Sequence, residues 1–513
     1  MIERRAMIGG ALAGAVLARA GAADADARSG ADPAALGAVL DRLAKGGPAA
    51  ERLAMLRAFD PSGLPPLARL DHDAVRLALE TEAELQRRFP FGAGPGAPYV
   101  VTLRTGAWLK AEDPKADLSA LAARIMAETA QIRDDADLRV IPPVLLIDKT
   151  VAALSARAAK APEELATALI RQAEALSDLR PRASIHPGLS FKDRDAYVAL
   201  VLRQQLGETL SPRAALRRSR AAGQALTARA DRLLKAQGYT QGGVGERLRA
   251  IARDPRWLYS DDDAGRDRAV ADMNAWLDRA RTRLPESFAT LPASAAGVAN
   301  RRMSRADEAA GRQGYRDVPT DGRPGSYYPD LRSIRSRPRW SLGSVAHHET
   351  LPGHLMQMPL EAASGAHPLR ARLAAPALSE GWAIYAEQLA DEVGAFAGDP
   401  VAELGYVQWM LFRTARLQLD LGLHLGGWSA EQGLAFLAEM QGDPVVFAPF
   451  AQEIERSAMA PGVASGQGLA WLELVRLRQV ARRRGLDLKR FHSLVLDQGP
   501  LPFSLLEAKL ARA

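Results

Sequence analysis

Cysteine is absent from this chain. That excludes disulfides, thiolate metal ligands and a thiol nucleophile, so any metal must be held by nitrogen and oxygen donors. A cysteine-free chain also suits an oxidising compartment. Long apolar runs are missing too: none reaches the roughly eighteen residues that a membrane-spanning helix needs. Aromatic residues make up only 6% of the chain and do not interleave with basic ones. The formal net charge of +7 therefore reads as solvated helix faces and a basic leader, with no nucleic-acid partner. Internal repeats, low-complexity tracts and an alternation of strand and helix patterns are absent as well. What is present, 47% hydrophobic and 25% charged residues over 513 positions, suits a large globular core.

The first 25 residues resemble an export leader of the twin-arginine type. Arg4 and Arg5 precede an apolar stretch from Ala6 to Ala18, followed by small residues with A-x-A-like cleavage options near Ala20 to Ala25. Glu3 before the pair, and the lack of Phe-Leu after it, depart from that type. The expectation is a periplasmic or secreted protein that keeps no membrane insertion once the leader is removed.

Residues 26–110 read as an N-terminal helical region, with Asp71 a candidate N-cap and a Gly/Pro-rich loop or small hairpin over 91–106. Residues 111–513 read as a second helical region, continuous with the first. In it Pro142 and Pro143 open a helix, Gly238 ends one, and Val270, Met273, Trp276, Leu277 and Leu284 form a core stripe. "YRDVPTDGRPGSYYPD" (315–330) breaks the pattern as a structured loop or irregular strand. There Tyr327 and Tyr328 stand beside Gly325 as candidate substrate contacts. The predicted fold class is mostly α, with minor irregular β segments and a central cleft.

The chemistry concentrates in "AHHETLPGHLMQ" (346–357), which holds three of the eight histidines: His347, His348 and His354. On an ideal helix His348 and His354 would point about 120° apart. Pro352 removes a backbone bond and clashes with the carbonyl of His348, so the helix is expected to bulge there. A loop-out of two residues would set His348 and His354 in the relation that i and i+4 have in H-E-x-x-H. Glu349 then stands beside a ligand, where a general base belongs. His347 is expected as a supporting group or substitute ligand. "LSEGWAIYAEQLADE" (378–392) supplies the third donor, Glu380. In the same stretch Ser379 is a candidate cap, Gly381 permits close packing, and Trp382, Tyr385 and Leu389 form a core stripe. Glu387 is a candidate acceptor for a ligating histidine. Two histidines and one glutamate leave a coordination position open, which marks a catalytic zinc site rather than a structural one.

The stretch 407–425 carries Arg416, Asp420 and His424 on one helical face. Either they form an internal ion ladder, or Arg416 holds a substrate carboxylate and His424 an oxyanion, with Asp420 supporting them.

"DGRPGSYY", "HHETLPGHLMQ", "SEGWAIYAEQL", "RLQLDLGLHLGGWS" and "LVLDQGPLPFSLLE" together resemble a bacterial family called domain of unknown function 885, regarded as helical metallopeptidases. The resemblance covers roughly residues 60–510. It implies an all-α, cleft-bearing fold, one Zn2+ on His348, His354 and Glu380, and Glu349 as base. The chain departs from the family in two places. Leu355 stands where a second histidine is usual. "SGQGLAW" keeps Gln467, a candidate substrate contact, but has Ser465 for a proline and Trp471 for a tyrosine. The expected activity is zinc-dependent hydrolysis of short peptides. The alternatives are a zinc amidase acting on a non-peptide or cell-wall amide, and a peptide- or metal-binding protein without turnover.

Overall fold

Helix dominates the described residues, as the spacing of the apolar positions requires. The computed structural model describes residues 32–513 apart from 114, 321, 322 and 446; the expected leader at 1–25 lies outside the described residues. Helix starts follow capping chemistry. Asp32, Asp117, Ser211 and Asp262 each accept a hydrogen bond from a first-turn amide of the helix they precede. Pro143 immediately precedes the helix Val144–Ala158, and Gly238 follows Pro212–Ala236 in the left-handed region at φ 87°. Asp71 does not cap a helix. It lies inside Pro66–Arg88, buried and paired with Arg370, because Pro65 and Pro66 start that helix earlier.

The first helices, Pro33–Ala44, Ala49–Arg57 and Pro66–Arg88, form a small apolar cluster that includes Leu369 from the far side of the chain. Helices Leu118–Asp137, Val144–Ala158 and Glu163–Leu179 pack around a second cluster with Trp108. The main core runs from Leu85 to Leu510 and contains the Met273, Trp276, Leu277 and Leu284 stripe, with Val270 at its edge. Through it passes the 27-residue helix Pro400–Gly426, capped by Asp399 and buried along most of its length. It packs against Pro212–Ala236, Val463–Arg483 and Leu342–Glu349.

The irregular segment forms a small sheet of β1 (Ala299–Asn300), β2 (Tyr315–Asp317) and β3 (Ser326–Tyr328), in the order β1-β3-β2. β1 runs parallel to β3, and β2 antiparallel with Arg316 opposite Tyr327. Directly opposed residues share a face of a sheet, so Arg316 and Tyr327 point the same way. Among the described residues no helix is long and apolar enough to cross a membrane.

Candidate metal centre

Two helices meet end to end at the centre of the motif. Leu342–Glu349 stops at Thr350, and a new helix, His354–Ala363, starts after Gly353. This corrects the expected bulge: the helix breaks completely, because Pro352 has no amide to continue it. The Leu351–Pro352 bond is cis. Gly353 is required by space, since a Cβ there would lie 1.9 Å from the carbonyl oxygen of His348. Trp382 Nε1 donates to the Pro352 carbonyl at 2.9 Å, fastening the turn to the helix Leu378–Glu392.

The break turns both imidazoles toward one point. His348 and His354 have ring centroids 5.0 Å apart and planes 87° apart. Glu380 enters from the first turn of Leu378–Glu392, where the helix dipole favours a carboxylate. Its Oε2 lies 3.7 Å from His348 Nε2 and its Oε1 3.5 Å from His354 Nε2. All three donor atoms fall within 4.8 Å of one another. Gly381, next along, lets this helix approach Val463–Arg483: a Cβ would lie 2.3 Å from Ala470 Cβ. Trp382, Tyr385 and Leu389 are buried behind it.

Do these residues fit a cation? His354 Nε2 is buried with no hydrogen-bond partner among the described residues, a costly state for a polar atom. The nitrogen–oxygen separations are too long for good hydrogen bonds, yet close to the roughly 3.3 Å expected between donors sharing a tetrahedral zinc. The charge states agree. Burial pushes the His354 pKa down, toward the neutral ring. Burial works to raise the Glu380 pKa, but the two imidazoles hold it well below the usual carboxylate range. A neutral ring and an ionised carboxylate are the forms that bind metal. His348 moves up instead: burial and Arg413 oppose its charged form, and Glu380 and Glu387 outweigh them.

Around the three donors stands a ring of supporting groups. Glu387 Oε1 meets His348 Nδ1 at 2.8 Å, the role expected of it, and its Oε2 accepts from Ser344 Oγ at 2.5 Å. Ser379 does not cap a helix, because Ala377 holds that position. Its hydroxyl lies 3.4 Å from His354 Nδ1 and donates to Gln357 Oε1 at 3.0 Å. Two arginines went unrecognised in the sequence. Arg413 Nη2 lies 3.2 Å from His348 Nδ1 and 3.4 Å from Glu387 Oε1. Arg316, on β2, forms a close ion pair with Glu349. Arg316 lies on a three-residue strand 33 positions before Glu349, and Arg413 on a helix 65 positions after His348, so neither contact has a local sign.

Several expected site residues lie elsewhere. His347 faces away from the metal cluster: its Nδ1 meets the Leu351 carbonyl at 3.1 Å and its ring packs on Trp276 and Phe396. Arg416, Asp420 and His424 do share a helix face, but each is engaged by protein. Arg416 Nε donates to Glu453 at 2.5 Å. Asp420 accepts from the Gly462 and Ser465 amides and the Ser465 hydroxyl. His424 Nδ1 accepts from the Leu189 amide at 3.2 Å, and its Nε2 meets the Ser457 carbonyl at 3.0 Å. Tyr327 is the exception: buried in the core on the same side of the sheet as Arg316, it lies near Glu349, and burial, then that carboxylate, push its hydroxyl pKa up. Tyr328 stacks on Tyr315 at 4.6 Å. The close approach at Gly325 is made by Pro319. Gln467 is half-buried on Val463–Arg483. The departures are absorbed structurally: Leu355 is core, and Trp471 Nε1 donates to Gln388 at 2.6 Å.

The family described as "Bacterial protein of unknown function (DUF885)" matches residues 19–510. No curated protein matches the chain. Among solved structures, a "putative lipoprotein" from Colwellia psychrerythraea superposes with a TM-score of 0.74 at 25% identity, covering 90% of each chain. A "putative lipoprotein of unknown function" from Shewanella oneidensis gives a TM-score of 0.68 at 16% identity, covering 94% of this chain and 93% of that one. Both share the helical fold.

Proposed function

The chain belongs to the bacterial DUF885 family, and we propose that it is an exported zinc-dependent peptidase acting on short peptides. One observation carries this reading: His348, His354 and Glu380 converge with donor atoms within 4.8 Å, one of them a buried imidazole nitrogen with no hydrogen-bond partner among the described residues. Zinc, when bound, supplies a Lewis acid and a water of lowered pKa.

The chain's own residues do the rest. Glu349 directly follows His348, and its side chain remains 18% exposed, so it takes the proton of the attacking water and passes it to the leaving amine. Glu387 fixes the tautomer and plane of His348 through Nδ1. Ser379 and Gln357 do the same for His354. Arg413 offsets the buried charge of Glu387. Export is supported by the leader-like first 25 residues and by the lipoprotein description of both structural relatives.

The test is elemental analysis of the purified protein, paired with hydrolysis of a defined peptide mixture followed by mass spectrometry. The wild type is expected to hold one zinc per chain and to lose hydrolysis on chelation. Glu349→Gln should keep the zinc and lose turnover. Zinc without any hydrolysis would leave a binding protein, and hydrolysis untouched by chelator would remove the metal from the reaction. The ion pair of Arg316 with Glu349 favours the binding reading, since one oxygen of the base is then occupied.

A further inference from the structure

Glu349 is the expected base, yet one oxygen of its carboxylate is held by a guanidinium. Arg316 reaches it from β2, whose register points Arg316 and Tyr327 to the same side. The pair is half-buried: the Arg316 side chain is 28% exposed. Arg316 also acts electrostatically on Glu380 and His354, so it overlooks the metal cluster as well as the base. While Arg316 Nη1 donates to Glu349 Oε2, that oxygen is not open to a water proton. Freeing that oxygen needs Arg316 to leave, and a half-buried guanidinium leaves most readily for another anion.

Charge identifies the kind of anion. The fixed charges around the cluster are Glu349, Glu380 and Glu387 against Arg316 and Arg413. A divalent cation on the three donors turns that balance positive. The pocket then favours a substrate with a negative group close to the bond being cut. Arg413 is less suited to receive it: it is 10% exposed and already engaged with Glu387 and His348.

On the reading of this site as a zinc peptidase, we infer that Arg316 exchanges Glu349 for the free α-carboxylate of the substrate's C-terminal residue. The substrates are then peptides cut close to a free C-terminus, and docking of that end is what releases the base. Arg316 acts here as a specificity-determining residue. The planar fork of arginine matches a carboxylate in two parallel hydrogen bonds, which lysine cannot reproduce.

The experiment is calorimetric binding of N-acetyl-trialanine and its C-terminal amide to the zinc-loaded protein, with turnover of both measured separately. The free acid is expected to bind about tenfold more tightly than the amide. Arg316→Gln should close that gap without changing the zinc content. Glu349→Gln, which removes the internal competitor, should widen it. Equal binding of acid and amide by the wild type would overturn the inference, as would a gap that persists in Arg316→Gln. If Arg316→Gln fails to fold, Glu349→Gln decides, since an unchanged gap there removes the exchange. A gap without hydrolysis would sink the peptidase reading and leave Arg316 as a carboxylate receptor. Equal cleavage of acid and amide would sink only the role of Arg316.

Discussion

The carboxylate of Glu387 meets Nδ1 of His348 at 2.8 Å from seven residues beyond Glu380, on the same helix. One helix therefore supplies both a candidate ligand and the group that orients the opposing imidazole.

Replacing Glu387 by glutamine should weaken zinc binding by about tenfold to a hundredfold, the usual effect of losing such an acceptor. Competition against a chromophoric chelator measures it. An unchanged competition curve would show that His348 needs no help from this carboxylate.

Gly353→Ala tests the helix break. The added Cβ would lie 1.9 Å from the His348 carbonyl oxygen and 2.4 Å from that of His347. The turn must then open and swing His348 from His354. We expect about 3 kcal/mol of lost stability and loss of stoichiometric zinc, read by denaturant titration and elemental analysis. Retention of both would mean that the turn has slack.

Asp420→Ala separates packing from chemistry on the long helix. Asp420 is fully buried and accepts two amide protons and a hydroxyl. Its loss should cost about 3 kcal/mol while zinc content stays at the wild-type value. Normal stability with lost turnover would instead return Asp420 and His424 to the reaction.

Glu208 gives the chain a pH dependence through neighbours other than the candidate metal ligands. Burial, and then the neighbouring Glu473, push its pKa up to about 7 from the usual 4.5. Its Oε2 is buried with no hydrogen-bond partner among the described residues. Between those two values the folded chain holds a proton that the unfolded chain has released. Stability therefore falls as pH rises through that window, by up to about 3 kcal/mol in total. Glu208→Gln should flatten this slope and raise stability at pH 8 in urea titrations. The same slope in the variant would place the titrating group elsewhere.

How far these features can be read from sequence depends on whether their partners are local. His348, Glu349 and His354 were legible because Pro352 and Gly353 lie between them and force the backbone to turn. Glu380 and Glu387 were legible by helical spacing, seven residues being two turns. The completeness of the break was not, since a bulge and a stop satisfy the same proline. Nor were the partners of His424, which come from Leu189 and Ser457 on separate segments. Arg316 was hidden for the same reason: an arginine in a Gly/Pro-rich loop looks solvated until strand pairing aims it at Glu349.

Because Asp71 pairs with Arg370 and accepts the His367 amide, the amino-terminal helices brace the connection between the helices bearing His354 and Glu380. Arg370 has no exposed side-chain surface. A fragment starting after residue 90 would leave that guanidinium without its carboxylate, inside the very crossover that sets the separation of two candidate ligands. Trimming the chain from its front should thus be felt first as a misaligned imidazole and carboxylate, well before the remaining helices come apart.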